Sequence, residues 1–392
     1  MKKEGSIEGR MRLIGLVGLM ALVGGCSGEL EEPAVQGVVV HLAGLVTPFQ
    51  EVEEDGANGA NEANGANGSY GTRADWLPGG FVEASPNPSL GVFFTKDSPA
   101  PFCEERRFWY GSDAQWRMSE EVLEGSYLLY GYAPYNAADA SLTTSTTYAG
   151  GATLTLTGLS TVMTKDVCAI VGAKDGTAGD TPASPGLQVG QFGCQMHSGE
   201  ETKNYLFLLL DHLYSAFHFR FRVHEDYAQL RTIKLRRLEL TAYTNNTFTT
   251  RMKEHLDATV TLQANTTGAS PIQSVEFGTA YGNQMQPVII FDGEETLPSG
   301  KDQYGQYIYT DEIGFVPSLG NCYILRSTYD VYDKQENLIR KGCTAENKIN
   351  PRAILSAETL ERGKMYALRL TVTPTYLYVL SEPDLDNPTA EM

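Results

Sequence analysis

The segment FHFRFRVH, Phe217 to His224, carries the clearest alternation in the chain and decides its fold class. Phe217, Phe219 and Phe221 fall on one parity, and polar or charged residues occupy the positions between them. A period of two is typical of a β-strand with one buried face, whereas a helix would distribute these side chains around its circumference. The segment therefore predicts a strand whose phenylalanines lie in a core.

The strand pattern continues on both sides of this segment. Short apolar runs bounded by Gly, Pro, Asn or Asp precede it, namely SLGVFF, SYLLYGYAPYN, ATLTLTGLS and DVCAIVGA. In TIKLRRLELTAY, which follows it, the apolar alternation changes parity at Arg236-Arg237, which predicts either a β-bulge or a strand that crosses between sheets. No long amphipathic helix pattern interrupts these strands. We therefore predict an all-β protein with two β-sandwich domains in tandem, transthyretin-like or Greek-key, over residues 74–200 and 201–392.

The N-terminus reads as an export signal. Basic residues precede LIGLVGLMALVGG, residues 13–25, an apolar run that suits a signal-peptide core and is too short to span a bilayer. Small residues then lead to Cys26, a pattern that resembles a bacterial lipobox; the alternative is a plain secretory signal with an accidental cysteine. Residues 1–25 are thus predicted to be a lipoprotein signal peptide, and Cys26 is predicted to carry the lipid that anchors the protein.

Residues 26–73 are predicted to hold one strand and a spacer. The β-branched stretch VVVHLAGLV predicts the strand, with Val38, Val40 and Leu42 on one parity. Residues 51–71 then repeat Ala-Asn-Gly, a composition that favours turns and cannot bury a core. We expect a flexible spacer that is accessible to proteases, with Arg73 near its end.

Charge and cysteine content narrow the partners and the chemistry. The net charge is −18, and no basic cluster is visible, so a nucleic acid is not expected as a partner. Five cysteines follow Cys26 without any CxxC spacing, and their odd number leaves at least one thiol unpaired in an exported protein. Cys322 and Cys343 flank an apparent hairpin, and whether they pair is left open.

The sequence lacks the local motifs of enzymes and metal sites. It contains no nucleophile elbow, no phosphate-binding loop and no HExxH. Cys194 and His197 have a ligand-like spacing, but a second pair of ligands is missing. His218 and His224 lie on the polar parity of a strand, which favours an exposed face over a catalytic role. We predict that the protein is not an enzyme and has no metal and no cofactor.

A family resemblance rests on the order of several motifs along the chain. They are the lipobox at Cys26, the apolar strand before a spacer, Thr72-Arg73-Ala74 followed by Trp76, SYLLYGYAPYN, DVCAIVGA, DHLYSAFHFRFRV and RGKMYALRLTVTPTYL. Together these features resemble the fimbrillin family, the type V pilins of Bacteroidales and their Mfa-like relatives. The NG-rich spacer is longer than the family pattern.

The resemblance implies a function in a surface filament. Family members are exported as lipoproteins, an Arg-specific protease removes the N-terminal strand, and a strand from another subunit fills the groove. Arg73 would be the cleavage site, and Val38, Val40 and Leu42 would lie on the removable strand. The candidate donor is the C-terminal strand, or the later piece Tyr376–Leu380; the strand's apolar face carries Tyr366, Leu368, Leu370 and Val372.

The same resemblance implies the partners and the location. We expect other fimbrial subunits as partners, attachment to outer-membrane lipid through Cys26, a host or bacterial surface receptor, and a position at the cell outer membrane and cell surface. Two alternatives keep the location and change the function: an anchor or tip subunit of the fimbria, or a surface lipoprotein that binds glycans through Trp109 and Trp116. A glycosidase, which needs two carboxylates facing a cleft, ranks third.

Overall fold

A computed structural model describes the chain over residues 37–47, 49–53, 75–76, 89–113, 115–181, 186–198, 204–266, 269–354 and 359–373. Strands make up 61% of these described residues and helices 4%, which confirms the predicted all-β fold class. Two short α-helices lie in the described part of the chain, α1 over Glu225–Leu230 and α2 over Pro351–Ile354, and a 3-10 turn covers Tyr135–Ala137. In the described residues no helix is long and apolar enough to cross a membrane.

The first sheet has nine strands and includes the predicted N-terminal strand. Its order is β10-β12-β1-β6-β5-β4-β7-β11, and β3 pairs with β1. Because β7 also pairs with β10, the strands from β10 round to β7 form a closed ring. The strands are β1 (Val38–Val46), β3 (Asp75–Trp76), β4 (Ser89–Lys96), β5 (Phe102–Tyr110), β6 (Trp116–Met118), β7 (Gly125–Ala133), β10 (Cys168–Gly176), β11 (Gly193–Met196) and β12 (Tyr205–His212).

The second sheet packs against the first and completes one hydrophobic core. Its order is β16-β15-β9-β8, with β17 also paired to β15. The first core contains Tyr130 and Phe108 from the first sheet and Leu154 and Leu256 from the second, all 0% exposed. The strands of the second sheet are β8 (Asp139–Thr143), β9 (Gly151–Ser160), β15 (Lys253–Gln263), β16 (Ile272–Phe277) and β17 (Tyr281–Gln284).

The third and fourth sheets enclose a second core. Their orders are β19-β13-β22-β2 and β18-β14-β20-β21. The second core contains Phe217 and Tyr366 from the third sheet and Leu238 and Tyr323 from the fourth. The strands are β2 (Gln50–Glu53), β13 (Tyr214–Val223), β14 (Thr232–Tyr243), β18 (Val288–Thr296), β19 (Thr310–Pro317), β20 (Cys322–Tyr332), β21 (Leu338–Ile349) and β22 (Lys364–Val372).

Two details of the strand prediction are confirmed, one by the burial pattern of β13 and one by the register of β14. Along β13 the residues Phe217, Phe219 and Phe221 are buried, and the polar residues between them are only half-buried. In β14 the register with both neighbouring strands shifts between Leu235 and Arg237. The parity change at Arg236-Arg237 is therefore a bulge inside one sheet and not a crossing between sheets.

The first core combines strands from both sides of residue 200. After that point, β12 pairs with β10 and with β1, and β15 pairs with β9. The division into tandem sandwich domains at residues 200/201 stays a prediction. In the hairpin of β20 and β21, Cys322 lies opposite Tyr243 of β14 and Cys343 lies opposite Tyr329, so neither cysteine faces the other and both are free.

Candidate functional site: the position of the N-terminal strand

The N-terminal strand β1 lies inside the first sheet, with partners on both sides. On one side, His41 to Val46 pair in parallel with Tyr205 to Leu210 of β12. On the other side, Val38 to Val40 pair with β6, and Leu45 and Val46 pair with β3, in antiparallel orientation. A strand enclosed in this way cannot leave without opening the ring of the first sheet. We call the position that β1 occupies between β12 and β6 the β1 slot.

One face of β1 belongs to the first core. Val40 is 2% exposed and Leu42 is 7% exposed, and both are members of that core, whereas Val38 on the same parity is half-buried. On the opposite parity His41 is exposed, and its ring stacks on Tyr205 with a centroid distance of 4.3 Å. The alternation read from the sequence therefore corresponds to one core-facing side and one outward-facing side.

Gly37 marks a close approach at the start of β1. A Cβ atom built there would lie 2.4 Å from the ring of Trp109 and 2.6 Å from the carbonyl oxygen of Met118, so any larger residue forces a displacement. The Gly37 carbonyl also accepts a hydrogen bond of 3.1 Å from Nη1 of Arg117. The N-terminal end of the strand is thus fixed by side chains of β5 and β6.

The chain then passes from the first sheet to the third, where it forms β2. Gln50 to Glu53 pair in parallel with Lys364 to Ala367 of β22, and Val52 packs against the second core. The segment Gly37–Glu53 therefore contributes one strand to each core. The sequence assigned residues 51–71 to a spacer, and in the structure this strand takes its first three residues.

The connection between β1 and β2 is held by His212 at the end of β12. Nε2 of His212 lies 2.5 Å from the carbonyl oxygen of Thr47, and the His212 ring stacks on Phe49 at 3.6 Å. Oγ1 of Thr47 donates a hydrogen bond of 2.7 Å to Oδ1 of Asp211, whose other oxygen accepts one of 2.8 Å from Arg362. Side chains that are far apart in sequence therefore fix this connection.

The surroundings of His212 favour its charged form. Nδ1 lies 2.5 Å from Oδ2 of Asp166, so both ring nitrogens face an acceptor. Burial disfavours the imidazolium, but the charge and hydrogen bond of Asp166 and the charge of Asp211 outweigh burial and raise the pKa of His212. Cys168 Sγ also lies 3.0 Å from the same Asp166 oxygen, so three potential metal ligands meet here.

The predicted site residues differ in where they lie. Cys26 and Arg73 fall outside the described residues, and so does the later piece Tyr376–Leu380. In β22, the side chains of Tyr366 and Leu368 are 2% and 6% exposed and fill the second core, and two further predicted donor residues are half-buried against it, Leu370 and Val372.

Two interpretations of exposed residues are wrong. Trp116 is 4% exposed and part of the first core, so it presents no face to a sugar ring. His218 has a side chain that is only 15% exposed, because Glu51 and Asp311 lie at 3.4 and 3.2 Å from its ring nitrogens. The polar face of β13 is partly covered by β2 and β19.

Sequence reasoning missed β2 and the cluster around His212. The four residues of β2 are too short for a recognisable alternation and stand next to the repetitive spacer. The cluster joins residues separated by 46 positions between Asp166 and His212 and by 165 between Thr47 and His212. Only the pairing of β1, β10 and β12 brings them together, and no local signal in the sequence encodes that pairing.

Comparison with solved structures finds several bacterial proteins that are distantly similar to this chain. No protein-family profile matches it, and no curated protein sequence matches it significantly. The solved structures that it is similar to are described as fimbrial proteins and candidate cell adhesion proteins, from species of Bacteroides, Parabacteroides and Porphyromonas.

Three neighbours illustrate the extent of the likeness. A candidate cell adhesion protein from Bacteroides uniformis has 8% identity and a TM-score of 0.33, covering 73% of this chain and 86% of its own. A fimbrial protein from Bacteroides vulgatus has 12% identity and a TM-score of 0.27, covering 74% and 90%. The fimbrial anchor protein Mfa2 from Porphyromonas gingivalis has 9% identity and a TM-score of 0.23, covering 84% and 90%. Because these TM-scores lie below 0.5, we derive the function from the chain's own strands.

Proposed function

We propose that this chain is the lipoprotein precursor of a structural subunit of a type V fimbria, which polymerises by strand exchange and supports cell adhesion. The observation that carries the proposal is the position of β1: an N-terminal strand that precedes an NG-rich stretch is enclosed on both sides within the first sheet. Lipid attached at Cys26 anchors the precursor in the outer membrane, and a protease cuts after Arg73.

A cut after Arg73 removes both β1 and β2 and leaves β3 with the body. The β1 slot then exposes the backbone groups of β12 and β6 together with the part of the first core that Val40 and Leu42 covered. Burying two side chains of this size stabilises by about 3 to 6 kcal/mol in total. An open slot of this kind favours insertion of a complementary strand through backbone hydrogen bonds and alternating side-chain pockets.

The proposed donor is the piece Tyr376–Leu380 rather than β22. Tyr366 and Leu368 of β22 fill the protein's own second core, so a donation by that strand would remove a subunit's own core residues. Large-to-small changes at such positions already cost about 2 to 5 kcal/mol each. The later piece has its own alternation of tyrosine and aliphatic residues, which suits a strand inserted between two others.

Insertion of one subunit's C-terminal piece into the slot of the next is a heterologous contact. Such a contact repeats without closing and builds a filament from one kind of chain, or from related chains. The exposed surface of the filament would then meet a host or bacterial receptor. A subunit that keeps its lipid and is not cut would serve as an anchor, and a subunit without a usable donor would stand at the tip.

The test compares processing and assembly in matched variants. The full chain with Cys26→Ala, which carries no lipid, is treated with an Arg-specific protease, followed by mass spectrometry and size-exclusion chromatography with light scattering. We expect a new N-terminus at Ala74 and then oligomers. Arg73→Ala should block both, whereas Arg340→Ala, a change at an exposed arginine of β21, should block neither. Cleavage at Ala74 without any oligomers would refute assembly by strand exchange.

A further inference from the structure

Three ligand-type side chains meet where β10 and β12 lie side by side. Cys168 is directly opposite His212 in the register of the two strands, and Asp166 precedes Cys168 by two residues. Sγ of Cys168 lies 3.8 Å from Nδ1 of His212 and 3.0 Å from Oδ2 of Asp166, and Oδ2 lies 2.5 Å from Nδ1. His212 and Cys168 are 3% and 4% exposed.

We propose that Asp166, Cys168 and His212 bind a divalent cation of the zinc class. One sulfur, one nitrogen and one carboxylate oxygen form a ligand set that Zn²⁺ accepts in tetrahedral geometry, with a fourth position left for water or a second oxygen. Calcium and magnesium prefer sites built from oxygen atoms, and this site offers a thiol and an imidazole instead.

The distances fit a small cation with one adjustment. Metal–ligand bonds of about 2.0 to 2.3 Å place tetrahedral ligand atoms roughly 3.3 to 3.7 Å apart. The distance of 3.8 Å between Sγ of Cys168 and Nδ1 of His212 is already close to that range. Oδ2 of Asp166 has to move away from Nδ1 of His212 by less than about 1 Å. Asp166 has room for this movement because its side chain is 18% exposed.

A buried oxygen of Asp166 points to a missing partner. Oδ1 of Asp166 is buried and has no hydrogen-bond partner, whereas Oδ2 is shared between His212 and Cys168. Buried carboxylate oxygens are normally satisfied, and an orphaned one needs an explanation. A cation bound by both carboxylate oxygens, with Oδ1 at the fourth position, supplies that partner.

The second nitrogen of His212 already has the partner that a metal-bound histidine needs. With Nδ1 on the cation, Nε2 carries the proton and donates it to the carbonyl oxygen of Thr47 at 2.5 Å. Such a hydrogen bond from the outer nitrogen fixes the tautomer and the ring orientation at metal sites. Phe49 stacks on the ring at 3.6 Å and screens the site from water on that side.

Charge and protons balance when the cation binds. Burial, and then the nearby Asp166 carboxylate, raise the pKa of the Cys168 thiol, so the thiol is protonated without a cation. On binding, Cys168 becomes a thiolate and His212 becomes a neutral ligand, so the thiol proton and the Nδ1 proton of His212 both pass to the buffer. Nδ1 then donates its lone pair to the cation. Asp211 does not compete as a ligand, because Thr47 and Arg362 hold its two oxygens.

The site is linked to the N-terminal segment by the same contacts. Thr47 and Phe49 belong to Gly37–Glu53, so a bound cation favours the state in which this segment is in place. Reciprocally, the presence of the segment tightens cation binding. This coupling follows from the contacts around His212 and does not depend on whether the protein forms fimbriae.

Cobalt binding tests the site directly. Co²⁺ is added to the full chain with Cys26→Ala, and the thiolate-to-cobalt charge-transfer band is recorded; Zn²⁺ should displace Co²⁺ at one equivalent per chain. Cys168→Ser should abolish the band and weaken zinc binding at least about 100-fold, and Asp166→Asn should weaken it about 10- to 100-fold. Cys194→Ser removes another buried thiol of the first core and should leave the band unchanged.

The controls separate a lost site from a lost fold. Circular dichroism without metal checks that each variant keeps the β structure of the parent. If Cys168→Ser does not fold, Asp166→Asn carries the test, because its amide oxygen still accepts a hydrogen bond. A parent protein that shows no charge-transfer band overturns the proposal. A band that survives in Cys168→Ser, or one that disappears in Cys194→Ser, overturns it equally.

Discussion

Replacing Leu42 by alanine measures how strongly the β1 slot holds its strand. Leu42 is 7% exposed and lies in the first core, and burying a leucine completely stabilises by about 1.5 to 3 kcal/mol. Because strands on both sides enclose β1, the site can collapse little around the lost atoms, so a cavity cost adds to the transfer cost. We expect Leu42→Ala to lower the free energy of unfolding of the full chain by about 3 kcal/mol.

Equilibrium unfolding in urea gives this value from the shift of the midpoint at an unchanged slope. The matched control is Leu123→Ala, because Leu123 is 78% exposed and its truncation should change stability by less than about 0.5 kcal/mol. Equal effects at the two leucines would refute the core position of Leu42.

The same side chain tests the slot after cleavage. A synthetic peptide with the sequence of Gly37–Val46 should bind to protein cut after Arg73, and fluorescence anisotropy measures its affinity. We expect the Leu42→Ala peptide to lose about 2 to 4 kcal/mol of binding free energy. This loss corresponds to a dissociation constant that is higher by about 30- to 1000-fold. If the altered and unaltered peptides bind equally well, the slot does not recognise its strand through the core face.

Three further variants examine the fold around the slot and the second core. Gly37→Ala places a methyl group against the ring of Trp109 and should lower the free energy of unfolding by about 1 to 3 kcal/mol in urea unfolding. Burial, followed by two neighbouring carboxylates, raises the pKa of Glu312 to about 6. Because the pKa of Glu312 is higher in the folded than in the unfolded protein, ionised Glu312 destabilises the folded protein above pH 6. Glu312→Gln should therefore raise the melting temperature at pH 8. Calorimetry should show that this increase in melting temperature vanishes by pH 4. Asp330 is 2% exposed and accepts a hydrogen bond of 2.7 Å from Arg236. Asp330→Ala should therefore lower the free energy of unfolding by about 2 to 4 kcal/mol in urea unfolding. A decrease below about 0.5 kcal/mol would contradict a stabilising role for this buried pair.

Local alternation was sufficient to predict several of the strands and their buried faces. The parity of Phe217 and Phe219 and the break at Arg236-Arg237 depend only on neighbouring residues, and both are confirmed. In β1 the core face contains Val40 and Leu42, on the parity that the sequence indicated. Side-chain alternation is a property of a single strand, so a single sequence is enough to show it.

The pairing of the strands could not be predicted from the sequence, because alternation does not show which strand lies next to which. The parallel pairing of His41 with Tyr205 joins residues that have no common local pattern, and the pairing of Leu256 with Leu159 is similarly distant. The cluster of Asp166, Cys168 and His212 is a consequence of such pairings. Cys194 and His197, which do have ligand-like spacing in sequence, are not joined in this cluster.

In the proposed assembly, the positions of β1 and β2 require that cleavage precede strand exchange. A competing strand finds much of both edges of β1 occupied, because β12 pairs with its last six residues on one side, and β6 and β3 pair with its two ends on the other. In the described part of the chain β2 ends the third sheet, and it pairs with β22 over four residues only. A competitor can therefore displace β2 gradually, whereas β1 must leave as a whole and give up its pairs with three strands. One cut after Arg73 frees both strands because they belong to the same segment. We therefore expect the uncut chain to remain monomeric at concentrations at which the cut chain assembles, even though β2 alone is held weakly.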